Sequence, residues 1–547
     1  MNNTMTKLSL ALAALVGLTS ASSVAEAAFG DIYDGALSQN SVYRITPSGS
    51  SSVFYADSSR LIDSVAFDRR GNLFCADKAN AGAIVEVTPS GTATVFASGL
   101  SPQALAFDSS GNLFVIDGAT NSILKFTPAG AKTTFASGIT SGRGLAFDSS
   151  DNLFVTLSNS GAAGAGTVVK YTASGTMTTF ATGLSTPWGV VVDNLGNVYV
   201  AELPTGNVYK FTPSGVKTTL QSGFGSPYSL ALDRVGDLIV GEFGNHQITK
   251  VPLIGPSAGT KSIVISNIIV GGLAIEPPSS AVVNLSTRAL VQTGDQVAIA
   301  GFAVRGTTNK MLLLRGLGPS LTRYGVPNAL QDPYLELHNS AGAVIAANDN
   351  WQSASNSGSI PSGYTPPDPR ESAIWISLPP GNYTAILSGK NATSGSGLVE
   401  VYDFDTYSTP AELVNVSTRG YVGTGNFVMI GGFACGITNG SSTGSPGGNG
   451  IVEVVVRGLG PTLAQAGVAG ALANPVVQLK NAQGTTIAFN DDSKNAPPIL
   501  QYTGFAPPNG AEAGLVAFLT PGTYTAILSG ANNTTGVGLV EVYKVVR

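Results

Sequence analysis

The chain has 547 residues, among them 68 Gly, 30 Pro, 2 Cys and 2 His, and only 11% are charged, against about 25% in an average soluble chain. So few charges cannot solvate many amphipathic helices, whereas abundant Gly suits short strands joined by tight turns. A net charge of −5 with no basic block argues against nucleic-acid binding. Two cysteines exclude a disulfide framework and Cys-based zinc sites, and two histidines leave little room for His-ligated metal chemistry.

In chain order, residues 1–27 read first, as a secretory signal: Lys7, an apolar stretch from Leu8 to Leu18, and small residues at Ala25-Glu26-Ala27. Eleven apolar residues are too few to span a bilayer, and no later run reaches 18. The mature chain is therefore expected in the periplasm or outside the cell, with no membrane span. Cys75 and Cys435 fall in different predicted domains and read as buried apolar residues rather than a pair.

A repeat of about forty residues follows. Leu105-Ala106-Phe107-Asp108, two serines, then Gly111-Asn112-Leu113-Phe114-Val115 recurs, with its aspartate at Asp68, Asp108, Asp148, Asp193 and Asp233, spaced 40, 40, 45 and 40. A second marker, Thr88-Pro89-Ser90-Gly91, returns at Thr127, Thr172 and Thr212. Each unit offers four short β-rich runs between turn residues, the pattern of a four-stranded propeller blade. Gly30-Asp31-Ile32-Tyr33 opens the array midway through a unit, and the strand it lacks appears at the far end as Gly272 to Glu276. Both ends therefore complete one blade, giving six blades over residues 28–278.

Residues 141–148, 111–117 and 121–126 resemble the three parts of an NHL repeat. The wider group includes the six-bladed gluconolactonase-like (SMP-30-like) propellers and the streptogramin lyases. The resemblance implies the propeller fold and, as an alternative to a binding role, a lactone hydrolase or lyase. The gluconolactonase-like enzymes hold a divalent metal at the channel mouth through a Glu, two Asn and an Asp. Counting five residues back from each repeat aspartate, or from Glu276, the corresponding positions here are Asp63, Gln103, Arg143, Trp188, Tyr228 and Gly271. Only Asp63 and Gln103 bring suitable oxygens, and Arg143 opposes a cation. Neither His246 nor His338 occupies a mouth position, where the lyase resemblance would want a His. The set Asp63, Gln103, Arg143, Trp188 and Tyr228 instead suits a sugar or another polar ligand, although rings plugging the channel give the same pattern. The acids Asp34, Asp77, Asp117, Glu202 and Glu242 follow the second strands, with Thr156 breaking the series. They read either as a cation-attracting ring or as carboxylates capping their own turns. The insertion from Ser158 to Gly166 reads as a lid or as a tolerated extension.

From Ala281 a longer repeat takes over. Asn284-Leu285-Ser286-Thr287-Arg288 returns at Asn415 to Arg419, and Arg315-Gly316-Leu317-Gly318-Pro319 at Arg457 to Pro461. Tyr383 to Gly389 returns at Tyr524 to Gly530. The pattern predicts two tandem β-sandwiches, residues 281–408 and 411–547, the second carrying a Gly-rich insertion from Thr438 to Gly450. Leu335-Glu336-Leu337, Asn348-Asp349-Asn350 and Pro380-Gly381-Asn382-Tyr383, with their second-copy counterparts, resemble the bacterial pre-peptidase C-terminal (PPC-like) sandwich. Asn490-Asp491-Asp492 is a candidate Ca²⁺ site, with an Asx-rich turn as the competing account. Arg315 and Arg457 read as structural, satisfying loop carbonyls.

The predicted fold class is thus all-β, a six-bladed propeller closed by both chain ends plus two tandem β-sandwiches. The predicted function is an exported binding or surface-interaction protein. Its partner would be an extracellular polysaccharide, a small polar ligand or a protein.

Overall fold

The computed structural model describes residues 30–545 apart from 37–38, 69–70, 80–81, 234–235, 278–280, 307, 405–410 and 437–451. The predicted signal, the Gly-rich insertion and most of the segment between the two C-terminal copies lie outside the described residues. The chain divides into two compact units, one ending at Pro277 and the other beginning at Pro278.

The first unit is six four-stranded antiparallel sheets. Five are contiguous in sequence and begin at Ile62, Pro102, Gly142, Pro187 and Pro227. In the sixth, Gly272–Ile275 pairs with Ile32–Gly35 from the start of the chain, in register Ile32↔Ile275 to Gly35↔Gly272. The six innermost strands adjoin one another in a closed ring. Burial along each blade follows composition. Second strands such as Leu113–Asp117 are buried throughout, whereas fourth strands such as Lys132–Ser137 expose their Lys and Thr.

The repeat aspartates build the turns between first and second strands. Asp108 accepts the Ser110 and Asn112 amides at 2.9 and 2.8 Å and the Asn112 side chain at 2.7 Å. Gly111, at φ +78°, supplies the left-handed residue that this turn needs. Blades are joined edge-to-face through repeated aromatics: Tyr33 on Phe67 at 4.9 Å, Phe74 on Phe107 at 5.0 Å and Phe114 on Phe147 at 4.9 Å. Each such pair adds about 0.5–1.5 kcal/mol beyond its buried area.

The second unit departs from two self-contained sandwiches. It consists of two eight-stranded layers, each assembled from both copies. One layer runs Val344–Asn348, Pro333–Asn339, Gly381–Gly389 and Ala298–Gly306 from the first copy. It continues through Ala411–Val422, Gly536–Lys544, Val452–Leu459 and Ala513–Leu519 of the second. The other layer is its counterpart, joined where Ala281–Val291 pairs with Met429–Gly436. The first strand of each copy therefore bonds its own copy on one edge and the other copy on the opposite edge. One core runs between the layers and includes Leu314, Leu335 and Leu387 from the first copy with Val456, Val477 and Leu528 from the second. Thr418 and Thr287, from the repeated Ser-Thr-Arg motif, hydrogen-bond to each other at 2.8 Å inside it.

Candidate functional site

The five predicted mouth side chains share a backbone device. In each of the five contiguous blades the register between first and second strand slips at the mouth residue. Ile62 pairs with Asp77 and Ser64 with Ala76, leaving Asp63 as the extra residue. Gln103, Arg143 and Tyr228 occupy the same place, and Trp188 lies within the corresponding slip. Such β-bulges re-aim a side chain out of the sheet's alternation. The closing blade has Gly271 at the mouth, immediately before its strand, and a Cβ there would fall 1.9 Å from the Gly35 carbonyl oxygen.

Four of the five side chains touch in an arc. The Arg143 guanidinium lies over the Trp188 ring at 4.3 Å, and the Trp188 and Tyr228 rings are 5.1 Å apart, tilted by 37°. The Tyr228 hydroxyl donates to Asp63 at 2.9 Å, passing the closing blade, where Gly271 presents no side chain. Burial, with the Asp63 carboxylate beside it, holds the Tyr228 phenol well above its ordinary pKa, so it remains a donor. Asp63 is 2% exposed and is also ion-paired with Lys78. Gln103 turns to its own blade and donates to the Ser101 carbonyl at 3.2 Å.

A second tier of side chains went unrecognised in sequence. In the five contiguous blades, the residue after the second-strand acid position lies at the same end of the blade as the bulge: Lys78, Gly118, Ser158, Leu203 and Phe243. Lys78 neutralises Asp63, Ser158 accepts from Arg143 Nε at 3.3 Å, and Phe243 extends the aromatic row. Phe243 lies 6.0 Å from Tyr228 and 6.3 Å from His246, and is 40% exposed. The available signal was position alone, one residue beyond a recurring acid.

The acid series caps its own blades. Asp77 accepts the Leu61 amide at 2.9 Å, Asp117 the Ser101 amide at 2.6 Å, Glu202 the Ser185 amide at 2.5 Å and Glu242 the Gly225 amide at 2.7 Å. Asp34, from an earlier point on its strand, bonds across the closing seam and accepts the amide of Gly271 itself at 2.8 Å. The four carboxylates of the contiguous blades thus pin the backbone that leads into a bulged residue, with Glu reaching one residue further back than Asp. The register corrects two assignments: Leu157, not Thr156, holds the acid position in the blade beginning at Gly142, opposite Gly142, and Asp34, opposite Leu273, stands where the next blade has Cys75 opposite Val65, two residues short of that position. Thr156 instead donates to the Trp188 carbonyl at 2.6 Å. The insertion after it is tied down, with Asn159 donating to the Ala165 carbonyl at 3.0 Å and Gly164 to the Ser185 hydroxyl at 3.2 Å.

In the second unit, Asn490 is used in both directions. Its side-chain oxygen accepts the Gly514 amide at 2.9 Å and its NH₂ donates to the Asp492 carbonyl at 3.1 Å. Asp492 faces Lys494 at 3.2 Å. Asn348 repeats the arrangement with Ala373 and Asn350, and Asp349 pairs with Lys390. These contacts are those of an Asx-rich turn clamping the strand end to the next strand. Among the described residues, no group of three or more His, Cys, Asp or Glu is disposed to hold a metal ion. Arg315 donates to the Tyr364 carbonyl at 2.8 Å as a structural loop tie, and also to Glu400 at 2.7 Å and the Tyr402 hydroxyl at 2.8 Å. Arg457 repeats this with Phe505, Glu541 and Tyr543. Cys75 and Cys435 are buried and unbridged.

No protein family matches the chain, and no curated protein matches it. Solved structures similar to it include virginiamycin B lyase from Staphylococcus aureus, at 17% identity over 44% of this chain and 83% of that one, TM-score 0.36. A catalytically inactive variant of that lyase with quinupristin gives 16% identity over 46% and 94%, TM-score 0.36. A streptogramin B lyase gives 15% identity over 43% and 74%, TM-score 0.33. No residue role follows from likeness at this level, and the propeller assignment rests on the strand pairing itself. No helix among the described residues is long and apolar enough to cross a membrane.

Proposed function

We propose that this is an exported binding protein whose propeller mouth recognises a polar, ring-bearing ligand such as a sugar, with the C-terminal unit as an accessory module. The supporting observation is the set of five bulged side chains, four of them in contact along an arc from Arg143 to Asp63, with the half-exposed Phe243 beside Tyr228. The bulges hold a rigid polar-aromatic rim, and prearranged groups of that kind lose little entropy on binding. Asp63 favours this reading over metal-dependent hydrolysis. Its carboxylate is matched by Lys78 and bonded by Tyr228, so a cation there would have to displace both. We further assign the forty-residue units to the NHL-like, gluconolactonase-like propellers on their repeated motif, and the C-terminal copies to PPC-like modules on theirs.

A glycan array probed with the full chain tests the reading. The Trp188→Ala, Tyr228→Ala double variant should lose the bound set while its circular dichroism stays unchanged. Stoichiometric metal at the mouth, together with lactone hydrolysis abolished by Asp63→Ala, would establish the enzyme reading in its place.

A further inference from the structure

Several of the arginines hold a carboxylate. In the propeller, Arg44 is paired with Asp31, and Arg60 holds Asp57 at 3.0 Å and Asp77 at 2.9 Å. In the C-terminal unit, Arg315, Arg370 and Arg457 hold Glu400, Asp368 and Glu541. Arg143 has no carboxylate among the described residues. Its Nε donates to the Ser158 hydroxyl at 3.3 Å and its flat face lies on Trp188 at 4.3 Å.

The missing carboxylate has a traceable origin. The acid that closes the second strand in the four other contiguous blades is Leu157 in this one, and in the blade beginning at Ile62 that acid, Asp77, is the partner of Arg60. Among the contiguous blades, the one with an arginine at the bulge is thus the one whose acid is replaced. Asp63, the acidic mouth residue, is already matched by Lys78 and receives the Tyr228 hydroxyl. Of the two charged side chains at the bulges, Asp63 thus has an ion-pair partner and Arg143 has none among the described residues.

We propose that the mouth takes a ligand bearing an oxyanion, a carboxylate or phosphate carried on a sugar, seated on the Nη1/Nη2 edge of Arg143. The inference rests on the mouth-binding reading above and adds the ligand's charge to it. Stacking on Trp188 fixes the guanidinium plane and Ser158 occupies the Nε edge, which leaves a two-pronged donor edge matched to two oxygens of one anion. The body of the ligand then lies along the row Trp188, Tyr228 and Phe243, whose successive rings are 5.1 and 6.0 Å apart.

Calorimetric titration of the full chain with trigalacturonate, glucose 6-phosphate and maltotriose tests the inference. At least one acidic probe should bind about tenfold or more tightly than maltotriose, the scale of a charge-assisted pair, and which one binds separates carboxylate from phosphate. Arg143→Gln should abolish the preference and Arg143→Lys should retain part of it. Equal affinity for charged and neutral probes, a preference that survives Arg143→Gln, or no binding of either acidic probe overturns the inference. Neutral binding that still depends on Trp188 and Tyr228 would leave the mouth-binding reading standing. Binding indifferent to both rings would remove that reading as well.

Discussion

Asp34 makes the closure of the propeller ring proton-linked, and Asp34→Asn exposes the linkage. Asp34 sits on the strand that pairs with the far end of the chain, opposite Leu273 and beside Tyr43 on the other edge. One carboxyl oxygen accepts the Gly271 amide, while the other is buried with no hydrogen-bond partner. Burial, opposed by the Gly271 hydrogen bond and reinforced by the nearby Asp63 carboxylate, raises its pKa from 3.8 to about 7. Because the folded pKa lies above the unfolded one, the folded state binds more protons between these values. The contribution of Asp34 to stability is therefore greatest below pH 4, falls as pH rises towards 7, and levels off above it. A shift of that size corresponds to about 4 kcal/mol in all, of which about 3 kcal/mol is lost between pH 5 and pH 8. Asn keeps the acceptor for Gly271 and cannot ionise. Hydrogen exchange of residues 31–35 and 272–276, corrected for intrinsic rates and referenced to the blade at 102–137, should lose protection between pH 5 and pH 8 in the parent chain. The same amides should stay level in Asp34→Asn. Parallel pH profiles in the two proteins would refute the reasoning.

Two further outcomes follow from the C-terminal unit. Arg315→Met leaves the Glu400 carboxylate buried beside Tyr402 without its cation and should cost about 3–5 kcal/mol in urea unfolding of that unit. Arg457→Met should cost less, because the Arg457 side chain is 15% exposed against 4% for Arg315, and equal costs would contradict the burial argument. With the Asn490 side-chain oxygen held by Gly514 and Asp492 facing Lys494, EDTA should leave the melting midpoint of this unit unchanged. A fall that Ca²⁺ reverses would instead place a cation at Asn490, Asp491 and Asp492.

Much of the propeller was legible because its determinants are local. Asp108, Gly111 and Asn112 build a turn from their own hydrogen bonds, and each copy of the pattern announces another blade. Counting back from those aspartates also arrives at the bulged positions of the first strands, since every contiguous blade uses the same strand length. The count located Asp63 and Tyr228 but could not show that they touch. Their contact spans 165 residues and exists because the ring closes past Gly271. Lys78 and Phe243 were missed for the same reason, as neither has a meaningful neighbour in sequence. The acid series was ambiguous until the amides of Leu61, Ser101 and Gly225 supplied partners for its carboxylates.

The C-terminal repeat shows most directly where local pattern ends. Two near-equal copies specify the same strands, and nothing in Asn284 to Arg288 or Asn415 to Arg419 says which copy's edge each strand will find. In the structure each takes its own copy on one side and the other copy on the second. By itself the sequence determined the all-β class, the six blades and the turn chemistry, because these depend on residue order and short-range hydrogen bonding. Tertiary structure alone decided the arc from Arg143 to Asp63, the lack of an ion-pair partner for Arg143 among the described residues and the sharing of sheets between the two copies. Those depend on which distant surfaces meet when the ring and the layers close.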